Sequence, residues 1–147
     1  MQQWCELAAQ GAAPPVSICL EGDSMRPLIR RGRDPVTIVP IDANLRIGDV
    51  VLFTLGDGRY VVHRVRRLAG DRVQTLGDHC LNPEPWFPRV QVLGRVICFR
   101  RNGRMHRLDT RMARAVGRAW MAMLPLRRSC MRMRAIAGRC YRRIRKG

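Results

Sequence analysis

The octapeptide "LEGDSMRP", residues 20–27, sets one serine, Ser24, between Asp23 and Met25, with Gly22 before it and Pro27 after it. A serine hydroxyl is a poor nucleophile near neutral pH. It acts only with a positioned base and with donors for the oxyanion that develops on the attacked carbonyl. A turn at the end of a strand supplies exposure and free backbone N–H groups, and the same pattern equally suits an ordinary turn serine. The base in such systems is His or Lys. The only lysine is Lys146, in the C-terminal tail, so a Ser/Lys dyad inside the core is excluded and His63, His79 and His106 remain. His63 lies in "YVVHRVR" (60–66), where strand alternation groups it with Val61 and Val65 and sends Tyr60, Val62 and Arg64 to the other face. An apolar setting of that kind holds an imidazole neutral and ready to accept a proton. It is also the setting of many histidines that only fill a core. His106, beside an Asn-Gly pair, reads as solvated.

The elements that must position these residues are short strands. Runs rich in Val, Ile and Phe, bounded by Gly, Asp, Pro or Asn, fall at 16–22, 35–40, 49–55, 59–68, 71–77, 89–100 and 104–109. "GDG" (56–58) and "RNGR" (101–104) carry the Asp-Gly and Asn-Gly chemistry of hairpin turns. The expectation is a mostly β sandwich or barrel. After Asp109 the period becomes helical. "TRMARAVGRAWMAML" (110–124) groups Arg111, Arg114 and Arg118 on one face, and Pro125 is expected to end the helix. A second helix would align Leu126, Cys130, Met133, Ala137, Cys140 or Tyr141, and Ile144 as an apolar stripe opposite its arginines.

Charge divides the chain at the same place. Residues 1–109 hold 16 Arg and 11 acids, whereas 110–147 hold 11 Arg, Lys146 and no acid, so most of the net +17 belongs to the tail. Such a block suits nucleic acid, an anionic membrane surface, or simply a solvated helical face. Arg64, Arg66, Arg67, Arg100, Arg101, Arg104 and Arg107 could form a basic surface, but the few aromatics show no interleaved stacking pattern. That argues against nucleic acid as a partner. Trp86 and Phe87, between Pro85 and Pro88, read as a rigid loop over the core or a wall of a peptide groove. The six cysteines form no C-x-x-C pair and no zinc spacing, so no metal or cofactor is expected. Reduced thiols suit a cytoplasmic address. The N-terminal "MQQWCELAAQGAAPP" lacks the basic and apolar regions of a signal peptide, and no run reaches the ~18 apolar residues of a membrane span.

The order "GDSMRP", "RIGDVVLF" (46–53), "VVHRV" (61–65), "TLGDHC" (75–80) and "VLGRV" (92–96) resembles the signal peptidase and LexA-like superfamily of serine peptidases over roughly residues 16–100. "GDSM" is similar to the self-cleaving repressors. A histidine in place of the base lysine is similar to archaeal and endoplasmic-reticulum signal peptidases. The resemblance implies Ser24 as nucleophile and His63 as general base. It offers two acids to orient His63: Asp78, in the "GD" that matches the family's "GDN", and Glu84 of "LNPEPW". His79 and Cys80 stand where asparagines are usual. A Cys80/His79 pair is conceivable but poor, since adjacent strand residues point to opposite faces.

The expectation is therefore a mainly β, compact signal-peptidase/LexA-like barrel over 1–109, followed by a basic amphipathic helical tail over 110–147. Its function would be that of a serine endopeptidase cutting a peptide or protein precursor through an acyl-enzyme, with Ser24, His63, and Asp78 or Glu84 as the site. The tail could touch anionic membrane peripherally, each surface arginine adding up to about 1 kcal/mol. Two rivals stay open. One is a peptidase-fold module that binds a precursor peptide without turnover, and the other is an Arg-rich regulatory protein associated with nucleic acid or membrane.

Overall fold

The computed structural model describes residues 2–129. It is mainly β: one antiparallel sheet of short strands, curled into a half-barrel and followed by short helices. The strands are β1 (Val16–Ile18), β2 (Val36–Pro40), β3 (Val50–Thr54), β4 (Tyr60–Ala69), β5 (Arg72–Leu76), β6 (Phe87–Pro88), β7 (Val92–Arg101) and β8 (Arg104–Arg107). They run in the order β1-β2-β7-β3-β4-β5-β6, with β8 paired to β7. Register shifts at Thr37/Ile38, Leu52/Phe53 and Val65/Arg67 are bulges, which bend their strands and curl the sheet. The sheet stays open, with β1 and β6 at its two ends.

β-Branched and aromatic residues dominate these strands, as a pleated surface buried on both sides requires. In β3 the alternation is direct. Val50 and Leu52 join a core with Ile38, Val62, Val96 and Phe99, while Val51 and Phe53 join Val65, Val73, Phe87 and Val92 on the opposite face. Each such side chain, fully buried, contributes about 1.5–3 kcal/mol. Hairpins fall at both expected turns. Asn102 and Gly103 have φ of 51° and 76°, the left-handed pair that a two-residue hairpin demands between β7 and β8.

Several expected bounds move. The strand expected over 16–22 ends at Ile18, opposite Val36, because the next residue on the partner side, Pro35, has no N–H to continue the ladder. Leu20 O instead accepts the N–H of Gly32. The last strand ends at Arg107, where Leu108 turns into the core. A helix the sequence left unassigned, α1 (Gln2–Ala9), packs Trp4, Cys5 and Ala8 into the first core, and the Trp4 indole N–H donates to Pro14 O at 2.7 Å.

The helix α2 (Arg111–Ala122) starts at Thr110, whose hydroxyl accepts the Ala113 N–H at 3.1 Å. It ends at Met123, two residues earlier than Pro125 implied, and 124–129 are helical again. A proline is tolerated in the first turn of a helix, so Pro125 opens this segment. The expected solvated face of Arg111, Arg114 and Arg118 is broken by Arg114, which is half-buried and reaches Asp49 at 3.3 Å. Met121 and Leu124 bury against Leu76, so the chain beyond residue 109 packs on the sheet at least to Leu124. The expected stripe from Cys130 onward lies outside the described residues.

A second buried carboxylate, Asp34, ties the loop before β2 to β7. Arg30 donates to it from backbone and guanidinium, and Arg101 donates at 2.6 Å. Burial opposes its ionisation, yet these donors hold its carboxyl well below the usual range. Asp34→Ala is expected to lower stability by on the order of 3 kcal/mol, read as an earlier midpoint in urea unfolding; a midpoint equal to the parent's would show the network to be dispensable.

Candidate active site

Ser24 sits in a run of bends and turns after β1. The flanking side chains fix it. Met25 and Ile29 are fully buried in the first core, and the Ile29 N–H donates to Met25 O at 2.9 Å. Ser24 itself is half-buried, and among the described residues neither its N–H nor that of Met25 is taken up by a backbone hydrogen bond. The Ser24 carbonyl is used: it accepts the N–H of His79 at 2.8 Å. This bond joins the serine turn to the loop that follows β5.

His63 lies opposite Val51 in the β3–β4 ladder, on the face of Phe53, whose ring centroid is 5.9 Å from its own. The side chain is buried, and burial pulls its pKa from 6.5 down to about 4, opposed in part by the charge of Asp78. The imidazole is therefore neutral through the physiological range, as a proton acceptor must be. Its Nδ1 stands 3.5 Å from Glu84 Oε1, a close approach that does not meet hydrogen-bond alignment and leaves Nδ1 otherwise unpartnered. Glu84 is held in place by its backbone. Its N–H donates to Thr75 O at 2.9 Å, and its carbonyl accepts from the Gln74 side chain at 3.3 Å.

Gly77 shows how closely these parts converge. A Cβ built on it would fall 2.8 Å from Ser24 O, 2.9 Å from His63 Nε2 and 2.7 Å from Cys80 Sγ. The serine turn, the imidazole edge and a thiol thus surround one point, and no side chain larger than hydrogen fits there. Sequence reading assigned no role to this glycine, because nothing in "TLGDHC" distinguishes a close approach from a turn.

The two candidate acids separate. Asp78 does not face Nδ1. It is buried in a bidentate ion pair with Arg64, whose Nε and terminal nitrogen donate at 2.9 and 2.8 Å, while the other terminal nitrogen donates to Gly48 O. Glu84 is the acid at the imidazole. Arg64, and Arg101 bound to Asp34, therefore do not contribute to the basic surface that these arginines could have formed. A signal existed for Arg64: alternation put it on the face of Val62, and an arginine at an inward position needs a buried acid. Phe87 is buried and stacks on Phe53 with centroids 4.6 Å apart, so the 83–88 loop packs over the core as one of its two readings had it.

His79 and Cys80 were expected as adjacent strand residues, but they lie in a turn after β5 that the Cys80 N–H closes on Gly77 O at 2.9 Å, and their side chains diverge within it. The His79 ring is exposed, while Cys80 Sγ turns in toward Gly77 and His63. Burial, and then the charge of Glu84, push the Cys80 thiol up, so it is protonated at neutral pH and a poor nucleophile there. His106 is exposed and stacks on Phe99, centroids 4.9 Å apart.

A groove of about 510 Å³ leads to Ser24, with Leu20, Gly22, Leu52, Tyr60 and Val62 among its walls. On one side runs the chain after β1. On the other is the first part of β4, which pairs with β3 but meets β5 only from Arg64 onward. Residues 60–63 therefore offer an unpaired strand edge beside the serine. Among the described residues no group of three or more His, Cys, Asp or Glu converges as metal ligands, and no helix is long and apolar enough to cross a membrane. No protein-family model, curated protein or solved structure matches the chain.

Two outcomes follow from this geometry. Because His63 binds its proton more weakly folded than unfolded, its neutral burial is without cost above pH 6.5 and disfavours folding as pH falls from 6.5 toward 4. Stability should drop over that window by at most about 3 kcal/mol, and His63→Gln should flatten the dependence in urea unfolding; an equally steep loss in the variant would assign it to other groups. Gly77→Ala should displace Ser24 from His63, seen as large shifts of the His63 and Ser24 resonances in a folded protein. Unshifted resonances would mean that the space at Gly77 is not needed.

Proposed function

We propose that this chain is a serine endopeptidase that cuts a peptide or protein precursor through an acyl-enzyme. The observation that carries the reading is the meeting of the Ser24 turn and His63 Nε2 at Gly77, with Glu84 behind Nδ1. The motif order's resemblance to the signal peptidase and LexA-like superfamily points the same way.

An extended peptide would lie in the groove as an added strand, its backbone bonding the free edge of residues 60–63. Ser24 Oγ attacks the scissile carbonyl carbon while His63 Nε2 takes the hydroxyl proton. The oxyanion falls to free N–H groups of the serine turn, that of Ser24 among them. The imidazolium then gives its proton to the leaving amine as the C–N bond breaks. Water, deprotonated by the same nitrogen, opens the ester, frees the new carboxyl terminus and restores the serine. Glu84, at Nδ1, orients the ring, and the imidazolium is stabilised by this carboxylate together with the charge of Asp78, which is otherwise held by Arg64. No step calls for a metal or cofactor.

A second reading, a module that binds a precursor peptide without turnover, is favoured by one observation: the Glu84 contact is long and unaligned. Such contacts commonly tighten only when substrate is bound, which leaves hydrolysis the better account. A cytoplasmic address belongs with the peptidase reading. The acid-free tail and the exposed Met112, Val116 and Met123 of α2 and its C-cap would suit peripheral contact with anionic membrane.

The reading is tested by mass-spectrometric analysis of a diverse peptide mixture incubated with the protein. Cleavage should vanish in Ser24→Ala and His63→Ala, and kcat/KM should fall at least tenfold in Glu84→Gln. Its acid limb should lie near pH 4, where the free imidazole becomes protonated, and not near 6.5. Undiminished cleavage by Ser24→Ala would remove Ser24 as the nucleophile, and peptide binding without cleavage by the parent would transfer the function to the second reading.

A further inference from the structure

The loop 77–80 is held from outside by residues far along the chain. The Trp120 indole N–H donates to Asp78 O at 2.8 Å, and the Arg127 guanidinium donates to the same carbonyl while stacking over the Trp120 ring, 4.6 Å from its centroid. Arg128 donates twice to Leu81 O, at 2.9 and 2.6 Å. On the turn before, Gly117 lies so close to Arg64 that a Cβ there would meet its terminal nitrogen at 2.3 Å. The helix α2 and the segment after it therefore press on both members of the Arg64–Asp78 pair at once: on the guanidinium through Gly117, on the backbone of the acid through Trp120 and Arg127.

This loop is the wall of the site. It carries Gly77, against which Ser24 O and His63 Nε2 rest, and its His79 N–H holds the Ser24 carbonyl. From these contacts we infer that Trp120 and Arg127 are positioning residues for Ser24 and His63, acting through the carbonyl of Asp78. The working unit then extends through Arg128, and the boundary at residue 109 divides composition without dividing function. Two donors on one carbonyl are more than its satisfaction requires, since a single bond removes the cost of burying it. The second fixes its direction, and with it the peptide plane between Asp78 and His79 that supplies the N–H to Ser24. An indole and a stacked guanidinium are both planar and rigid, which suits them to that task.

The inference rests on Ser24 and His63 being the acting pair, so its test includes a readout that needs no turnover. The full chain is compared with Trp120→Phe, which keeps the ring and loses the donor, and with Trp120→Phe combined with Arg127→Met. In NMR titration the imidazole of His63, whose pKa burial lowers to about 4, should move up toward its ordinary range in the double variant as water reaches it. Peptide hydrolysis should lose on the order of tenfold or more in kcat with little change in KM, since misplacement of the pair affects chemistry and not the groove. Arg127→Lys, which retains a donor on the Trp120→Phe background, should restore part of both effects. If the double variant does not fold, Trp120→Phe alone must show the same directions. Unchanged His63 titration in a folded variant lacking the donors would overturn the inference. A shifted titration in a protein whose parent cuts no peptide would uphold the positioning and remove only the peptidase reading.

Discussion

A guanidinium and a carboxylate, both almost wholly withdrawn from water, join the middle of β4 to the loop after β5. Either charge alone would be untenable there, at a cost of several kcal/mol, so each compels the presence and orientation of the other. Arg64 sits next to His63 in the chain and Asp78 next to Gly77. The bidentate geometry consequently sets the distance between the imidazole and the loop that carries the close approach. The third nitrogen of Arg64 reaches Gly48 O, which adds the β3 entrance, and Gly117 lets α2 settle on the guanidinium. A pair of this kind is weak evidence of added stability. Its bidentate geometry instead ties β4 to the loop after β5 in one relative placement.

That arrangement creates the electrostatic setting of His63. The ring is placed against Phe53 on the apolar face of the sheet, away from water. Desolvation lowers its proton affinity more than the nearby charge of Asp78 raises it. The negative charge of Asp78 is largely answered by Arg64, which leaves Glu84 as the acid in contact with the ring. Two carboxylates thus lie near one imidazole: a buried arginine claims Asp78, whose charge still reaches the ring, and Glu84 stands at Nδ1.

Much of this was legible in the sequence because local patterns carried it. The β-rich runs, the Asn-Gly turn and the inward face of His63 follow from alternation and from backbone chemistry that needs no partner. The role of Asp78 did not follow, since an acid beside a glycine reads the same whether it orients a histidine or neutralises an arginine 14 residues away. Its partner Arg64 was grouped with Val62 by the alternation of β4, but nothing local to the sequence paired it with an acid 14 residues away. Helix α1 was missed although Ala, Gln, Glu and Leu favour a helix, because eight residues are too short to show a clear period and its anchor, Trp4, is buried by long-range packing. The close approaches at Gly77 and Gly117 are tertiary facts, invisible until β4, the loop and α2 are brought together. Whether Asp78 or Glu84 faces the imidazole is settled by geometry in favour of Glu84.

In the proposed mechanism His63 makes the hydroxyl of Ser24 nucleophilic. The most direct measurement is the intact mass of the folded protein after reaction with a fluorophosphonate, followed by mapping of the modified peptide. One adduct per chain is expected, located on Ser24, and none in a folded His63→Ala variant. An intact, folded protein that takes no adduct, or takes it on a residue other than Ser24, would contradict it.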